Sequence, residues 1–142
     1  MRALVDTNVW LDVITGRESF CETSKAAILA CINDEVEVEV VATSLKDIFY
    51  LISRYADAQK AYTSVESILS IASVASVDGL VCSQALELER PDYEDGLIAA
   101  AAMTERVDCI ISRDAKAFES IAIPKYDPVE FLRSQGYEKI AF

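Results

Sequence analysis

Short apolar segments with the character of buried strands alternate along this chain with longer segments of helical periodicity. The predicted strands are 3–6, 36–42, 74–78, 108–113 and 121–123. The predicted helices are 18–33, 45–55, 57–72, 80–88, 93–105 and 128–135, with a single helical turn at 115–119. This alternation is typical of an α/β domain in which helices cover both faces of a mainly parallel sheet. The length of 142 residues fits one domain, 1–142, in three α/β/α layers.

Polar residues and prolines mark where several of these helices begin. Thr43 or Ser44 is predicted to cap the helix that follows the second strand. Asp92, which follows the chain-breaking Pro91, is predicted to cap the Ala-rich helix, and Pro128 fits the first turn of the last helix.

The composition narrows the chemistry that this chain could perform. It contains no histidine, which excludes Ser-His and Cys-His nucleophile pairs and His-ligated zinc or iron. Lys and Arg number 13 against 24 Asp and Glu, a net charge of −11, so binding of nucleic acid through a broad basic face is disfavoured. Any catalysis must come from carboxylates, hydroxyls, amines or a bound ion.

The four cysteines and the hydropathy indicate a cytosolic protein. No CxxC pair is present, and we expect all four to be buried, reduced thiols: Cys21, Cys31, Cys82 and Cys109. No apolar run reaches the roughly 18–20 residues that a membrane span needs, so no membrane association is predicted. Asp6 and Asp12 interrupt the first apolar segment, which argues against a signal peptide.

Four aspartates are predicted to share one edge of the sheet. Asp6 ends the first strand and Asp114 follows the strand 108–113, while Asp47 and Asp95 lie in the first turns of two helices. Strand ends and the starts of crossover helices meet at the same edge of a parallel sheet, where ligand sites usually lie. Three further polar residues lie close by in sequence: Asn8, Ser112 and Glu94.

Each of these acids also has a purely structural interpretation. An acid in the first turn of a helix, such as Asp95 or Glu94, can simply favour the helix dipole. Asp47 lies opposite the apolar stripe of its helix and would then be a solvated charge; that stripe is Leu45, Ile48, Phe49, Ile52 and Tyr55. Four clustered carboxylates, however, raise one another's pKa unless a cation lies between them. Mg²⁺ or Mn²⁺, which prefer oxygen ligands, would relieve this repulsion.

Other phosphate-handling folds lack their motifs here. A haloacid-dehalogenase-type phosphatase needs DxDx[TV] after the first strand, but the chain has Asp6-Thr7-Asn8-Val9. A response-regulator receiver needs an acidic pair and a late lysine at a strand end, and neither is present. The chain has no GxGxxG and no GxxxxGK[ST], so dinucleotide and P-loop sites are not predicted.

Four blocks in chain order carry a family resemblance: LVDTNVWLDVI at 4–14, TSLKDIFYLI at 43–52, DYEDGLIAAAA at 92–102 and ISRDAKAF at 111–118. They resemble the PIN domain of metal-dependent ribonucleases, a family that includes the VapC-type bacterial toxins. The resemblance spans the chain. It implies a PIN-like α/β/α fold and a Mg²⁺- or Mn²⁺-dependent endoribonuclease, the toxin of a type II toxin–antitoxin pair.

The resemblance also implies roles for particular residues. An acidic quartet would bind metal and catalyse cleavage, with Asn8 and Ser112 as polar supports; its members are Asp6, Asp47, Asp95 and Asp114. The second acid is usually Glu in the family, so Asp47 is one methylene shorter. Glu94 could supplement the site or serve only the helix dipole. The shortened acid and the net charge leave open a second function, a PIN-like binding or regulatory protein with weak or no catalysis.

The expected partners are RNA, a second copy of the chain and a basic antitoxin. Cations that could contact an RNA backbone, each of which could equally be a solvated surface charge, are Lys46, Arg54, Arg90, Arg113 and Lys116. A helix cannot bury Phe49, Tyr50 and Leu51 together, so we expect part of this apolar surface to be exposed unless the next helix covers it. The resemblance implies homodimers and antitoxin segments that cover the active cleft. The acidic charge of the chain predicts that such a segment places Arg or Lys among the carboxylates.

Overall fold

The computed structural model describes residues 1–88 and 92–137. The strands are β1 (Arg2–Val5), β2 (Glu37–Val41), β3 (Ser73–Ala75), β4 (Cys109–Ile111) and β5 (Lys125–Tyr126). The helices are α1 (Thr7–Thr15), α2 (Cys21–Asn33), α3 (Ala42–Tyr55), α4 (Ala58–Ile71), α5 (Gly79–Glu87), α6 (Tyr93–Glu105) and α7 (Pro128–Ser134). A 3-10 helix, Ala115–Phe118, confirms the helical turn predicted at 115–119.

All five strands are parallel and form one sheet in the order β3-β2-β1-β4-β5. The central strand β1 pairs with β2 on one side and with β4 on the other, where Val5 is aligned with Ile111. The carboxyl ends of β1 and β4 are therefore adjacent, and the residues that follow them begin side by side. The α/β class and the parallel sheet are confirmed.

Side chains alternate between the two faces of the sheet and build two cores. On β1, Ala3 and Val5 belong to the core made with α1, α2, α3, α4 and α7, where Trp10 is among the buried residues. Leu4 belongs to the opposite core, made with α5, α6 and the 3-10 helix, where Phe118 is buried. This is the three-layer α/β/α arrangement.

Helix α1 has no counterpart among the predicted elements. The segment is rich in β-branched residues, which have weak helix propensity. The helix forms because Asp6 caps it, its side chain accepting from the Thr7 N–H at 2.8 Å, and because Val9 and Trp10 are buried. The Trp10 indole also donates to the Val5 carbonyl at 3.1 Å.

The predicted cap of α3 was wrong, whereas the cap of α6 and the position of Pro128 in α7 are confirmed. Strand β2 runs directly into α3, so Thr43 and Ser44 lie inside its first turn, and no side chain of the described residues caps the helix. Asp92 accepts from the Asp95 N–H at 2.8 Å, and Pro128 lies in the first turn of α7. Pro91 lies outside the described residues.

Three further expectations needed correction. The segment 121–123 is not a strand, because Ile121 packs into the core beside α6 while Lys125–Tyr126 pairs with β4. Tyr55, expected on the buried stripe of α3, is exposed because it is the last residue of that helix. Cys31 and Cys109 are buried, and burial raises the pKa of both thiols to about 12. The other two cysteines are only partly buried: Cys21 and Cys82. Within residues 1–88 and 92–137, no helix is long and apolar enough to cross a bilayer.

Glu39 on β2 is a buried carboxyl group on the face covered by α6. It is aligned with Leu4 and is 2% exposed, and its Oε2 atom has no hydrogen-bond partner among the described residues. Burial first, and then the Glu105 carboxylate, raises its pKa from 4.5 to about 7. The folded protein therefore keeps this proton at pH values where the unfolded chain has lost it.

We expect Glu39 to reduce stability as the pH rises from about 4.5 to about 7, because the unfolded state releases the proton first. Below this window both states are protonated and the cost is absent; above it the full cost remains. Glu39→Gln cannot ionise and should raise Tm at pH 8 by roughly 3–10 °C, with a much smaller gain at pH 4.5. Glu66→Gln, at an exposed position on α4, is the control. An equal gain at both pH values would contradict the prediction.

Candidate active site

Asp6 lies at the carboxyl end of β1 and is buried beside β4. Its backbone N–H donates to the Ile111 carbonyl at 2.9 Å, which continues the strand pairing for one residue. Its Oδ1 atom accepts from the Thr7 N–H at 2.8 Å, and its Oδ2 atom accepts from the Ser112 hydroxyl at 2.7 Å. Both carboxylate oxygens are thereby fixed, and each keeps a free lone pair.

Ser112 connects Asp6 to the start of the 3-10 helix. While it donates to Asp6, its hydroxyl oxygen accepts from the Asp114 N–H at 3.0 Å and from the Asn8 side-chain amide at 3.4 Å. The Asn8 Oδ1 atom in turn accepts from the Arg113 N–H at 3.3 Å. The predicted supports Asn8 and Ser112 thus lie in one hydrogen-bonded unit with Asp6 and the Asp114 backbone.

The first turn of α6 brings Asp95 to the same edge. Burial, followed by the charges of Asp92, Asp6 and Asp114, raises the pKa of Asp95 to about 6. Burial also raises the pKa of Asp6, and Asp114 raises it further, although the Ser112 and Thr7 hydrogen bonds oppose this. Asp6, Asp95 and Asp114 therefore interact electrostatically at one edge of the sheet, as the strand-end argument predicted.

Asp47 and Glu94 form a second acidic pair, across α3 and α6. Burial would raise the pKa of Asp47, but hydrogen bonds from Glu94 and Lys46 and the charge of Lys46 lower it. The hydrogen bond to Asp47 is the largest cause that raises the pKa of Glu94, to about 7. The Asp47 side chain is 22% exposed, with its Oδ1 atom 2.8 Å from the Lys46 ammonium. The solvated-charge interpretation of Asp47 was wrong, because the start of α6 faces this side of α3.

The donor set at this edge is chemically suited to a hard divalent cation. Carboxylate oxygens are offered here by five acids: Asp6, Asp47, Glu94, Asp95 and Asp114. A bound cation would offset the negative charges that raise the pKa of Asp95. Among the described residues, however, no three Asp, Glu or Cys side chains are grouped closely enough to hold a metal ion. Metal binding would therefore require the side chains of Asp95 and Asp114 to turn toward the fixed carboxylate of Asp6.

The basic residues near the edge differ in whether they already bond to another side chain of the protein. Arg113 makes a two-point ion pair with Asp12, Nε to Oδ2 at 2.6 Å and Nη2 to Oδ1 at 3.0 Å, so it is not a free cation for RNA. Arg54 donates to the Tyr50 hydroxyl at 3.1 Å, and Lys116 is exposed on the 3-10 helix. Arg90 lies outside the described residues. Asp12 was not predicted to lie near the site, although an acid within the apolar α1 was the available signal.

A cleft of about 500 Å³ adjoins the acidic edge between α1 and α3. Its walls are mostly apolar, and residues at its site end include Asn8 and Arg113. Leu51 and Tyr55 of α3 lie on its opposite wall. The five acids do not line this cleft, which meets the acidic edge only through Asn8 and Arg113.

A parallel sheet with fixed acids along its carboxyl edge defines this protein as an α/β domain with an acidic site at the strand ends. The chain belongs to the PIN domain family, whose model matches residues 2–116. The resemblance drawn from the four sequence blocks is thus confirmed. No curated protein matches the chain in sequence.

Several solved structures share this fold. VapBC2 from Rickettsia felis, bound to a DNA fragment from its promoter, matches with a TM-score of 0.66 and 16% identity, covering 89% of this chain and 100% of that one. A toxin–antitoxin complex from Klebsiella pneumoniae matches with a TM-score of 0.67 and 20% identity, covering 89% and 97%. VapC20 from Mycobacterium tuberculosis, a toxin that cleaves the sarcin–ricin loop, matches with a TM-score of 0.66 and 16% identity, covering 80% and 90%.

Proposed function

We propose that this protein is a Mg²⁺- or Mn²⁺-dependent endoribonuclease and the toxin of a toxin–antitoxin pair, acting in the cytoplasm. The observation that carries the proposal is Asp6, a buried carboxylate fixed by Ser112 and facing the charges of Asp95 and Asp114. Family membership supports it, as does the fold shared with VapC20, a toxin that cleaves RNA at the sarcin–ricin loop.

The residues proposed to hold the metal are Asp6, Asp95 and Asp114, with Asp47 and Glu94 at the flank. A bound Mg²⁺ would lower the pKa of a water molecule and stabilise the charge that develops during hydrolysis of a phosphodiester. Asp6 supplies a carboxylate whose orientation is already set by two hydrogen bonds. Lys46, exposed beside Asp47, is a cation suited to contact an RNA phosphate.

The direct test is RNA cleavage by the purified chain in Mg²⁺ or Mn²⁺ and in EDTA. We expect internal cleavage that needs the metal and is absent from a metal-free reaction. Because no histidine is available for acid–base catalysis, cleavage that persists in EDTA would contradict the proposed mechanism.

Metal binding is also expected to stabilise the folded protein. A ligand that binds only the folded state raises both Tm and the free energy of unfolding. At a ligand concentration one hundred times its Kd, the free energy of unfolding rises by about 2.7 kcal/mol. Millimolar Mn²⁺ should therefore raise Tm by several degrees, and Asp95→Asn should blunt this response because it removes one proposed ligand. Thermal unfolding at increasing Mn²⁺ concentrations measures both effects, with Glu66→Gln as the charge-matched control. A native Tm that does not respond to Mn²⁺ would count against the site.

A second candidate function, binding or regulation without efficient cleavage, is favoured by one observation. The proposed metal ligands are not gathered into a cluster in the described residues, and Asp47 is engaged with Glu94 and Lys46. A chain that binds RNA and raises its Tm with Mn²⁺, yet cleaves no RNA, would support this alternative.

We further propose that the protein binds a basic antitoxin and forms a homodimer. Tyr50 and Leu51 are 57% and 44% exposed, so α4 does not cover them, whereas Phe49 packs edge-on against Tyr62 with ring centroids 4.7 Å apart. The exposed pair is an apolar surface suited to a protein partner. Sedimentation at several concentrations tests the dimer, and a monomer at all of them would refute it.

Two of the matching structures, from Rickettsia felis and Klebsiella pneumoniae, are VapBC or toxin–antitoxin complexes, which supports an antitoxin partner.

A further inference from the structure

Asp12 is a buried acid on α1 that lies among apolar residues and is paired with a residue far away in sequence. It is 1% exposed, and its two oxygens receive two hydrogen bonds from the Arg113 guanidinium at 2.6 and 3.0 Å. The Ser24 hydroxyl adds a third hydrogen bond at 3.0 Å. A buried carboxylate without partners is costly, so the Arg113 ion pair and the Ser24 hydrogen bond compensate for the burial of Asp12.

The face of the Arg113 guanidinium also contacts an aromatic ring. Its central carbon lies 4.1 Å from the centroid of the Phe20 ring, a cation–π contact. Stacking and a two-point ion pair together use the planar shape of arginine, which lysine lacks. The side chain of Arg113 is therefore fixed by Asp12 of α1 and by Phe20, the residue that precedes α2.

Arg113 lies between Ser112 and Asp114, in the short segment that joins β4 to the 3-10 helix. Helix α1 contacts this segment twice, because Asn8 and Asp12 lie one turn apart on one helix face. Asn8 accepts from the backbone N–H of Arg113, and Asp12 accepts from its guanidinium. The same helix is capped by Asp6, so these contacts tie the segment that carries Asp114 to the helix that starts at Asp6.

We propose that Asp12 and Arg113 are positioning residues, which fix the segment that carries Asp114 beside Asp6, so that both carboxylates can turn toward one divalent ion. This inference rests on the proposed metal-dependent nuclease. It gives Arg113 a role different from that of an RNA-binding cation, because its charge is directed at Asp12 and away from a substrate phosphate. Outer groups that orient metal ligands change metal affinity or activity by about 10–100-fold when removed.

The test compares Asp12→Asn and Arg113→Lys with the native chain, with Arg133→Lys on α7 as the matched control. Calorimetry measures Mn²⁺ affinity, and steady-state cleavage gives kcat and KM for RNA. We expect both variants to bind Mn²⁺ about 10–100-fold more weakly and to lose kcat with little change in KM. Adding excess Mn²⁺ should restore part of the lost kcat.

Other outcomes overturn the inference. If Arg113→Lys raised KM for RNA while Mn²⁺ affinity stayed native, Arg113 would be a substrate contact. If Asp12→Asn were folded and bound Mn²⁺ as the native chain does, the ion pair would be structural only. If either variant failed to fold, Phe20→Leu, which removes only the stacked ring, should still weaken Mn²⁺ binding, and native affinity there would overturn the inference.

The same experiment separates this inference from the function on which it rests. A native chain that binds no Mn²⁺ and cleaves no RNA would refute the proposed nuclease, and the positioning role with it. A native chain that binds and cleaves, alongside folded variants that do both equally well, would refute the positioning role alone.

Discussion

We expect Asp6→Asn to abolish metal-dependent RNA cleavage, with a loss of about a hundredfold or more. Asp6 is the buried carboxylate at the centre of the acidic edge, and both of its oxygens are fixed by hydrogen bonds. Removing a residue that only supports a metal ligand already costs about 10–100-fold. Asparagine has nearly the same shape but lacks the charge that a divalent ion needs.

Measuring Tm shows whether the loss of cleavage in Asp6→Asn comes from the missing carboxylate or from misfolding. Burial raises the pKa of Asp6, so the charged form is unfavourable in the metal-free protein, and Asp6→Asn should keep or raise Tm without metal. The increase in Tm caused by Mn²⁺ should fall at the same time. Cleavage by a folded Asp6→Asn variant at the rate of the Glu66→Gln control would rule out Asp6 as a catalytic ligand.

Most of the fold was predictable because its elements carry local patterns. Strand β4 is a short apolar run, and α6 has a clear cap at Asp92, so their positions follow from the sequence. Helix α1 was not predicted, because the burial of Val9 and Trp10 outweighs the weak helix propensity of its β-branched residues. Strand β5 was misplaced because 121–123 is the more apolar segment, while the two residues that pair with β4 are only half-buried.

The candidate site was predictable where it depends on topology. Adjacent parallel strands bring their carboxyl ends together, so Asp6 and Asp114 follow from strand positions alone. The ion pair between Asp12 and Arg113 did not follow, because the two residues are 101 positions apart and no local pattern connects them. The environment of Asp47 also depends on tertiary structure, since it is set by Glu94 on a distant helix.

We expect a basic side chain of an inhibitory partner to bind at the edge between Asp6 and Asp114. The charge of Asp114 raises the pKa of Asp6, and both charges raise the pKa of Asp95, so negative charge is concentrated there and a guanidinium or ammonium group would relieve it. The cleft between α1 and α3 lies beside this edge at Asn8 and Arg113, and the chain carries a net charge of −11. An Arg in this position would also exclude the divalent ion, so a single contact would block substrate and cofactor together.

Replacing that Arg or Lys by Ala in the co-encoded partner should therefore release cleavage. Truncating one member of a buried charge pair costs about 2–5 kcal/mol, which corresponds to inhibition roughly 30-fold weaker or more. Since metal and inhibitor would compete for the same carboxylates, raising Mg²⁺ should weaken the native partner and leave the Ala variant little affected. Basic residues of the partner that lie outside the cleft provide the matched control. If every single Arg and Lys of the partner could be replaced without loss of inhibition, the partner would act on another surface, and the exposed Tyr50 and Leu51 would be the place to test next.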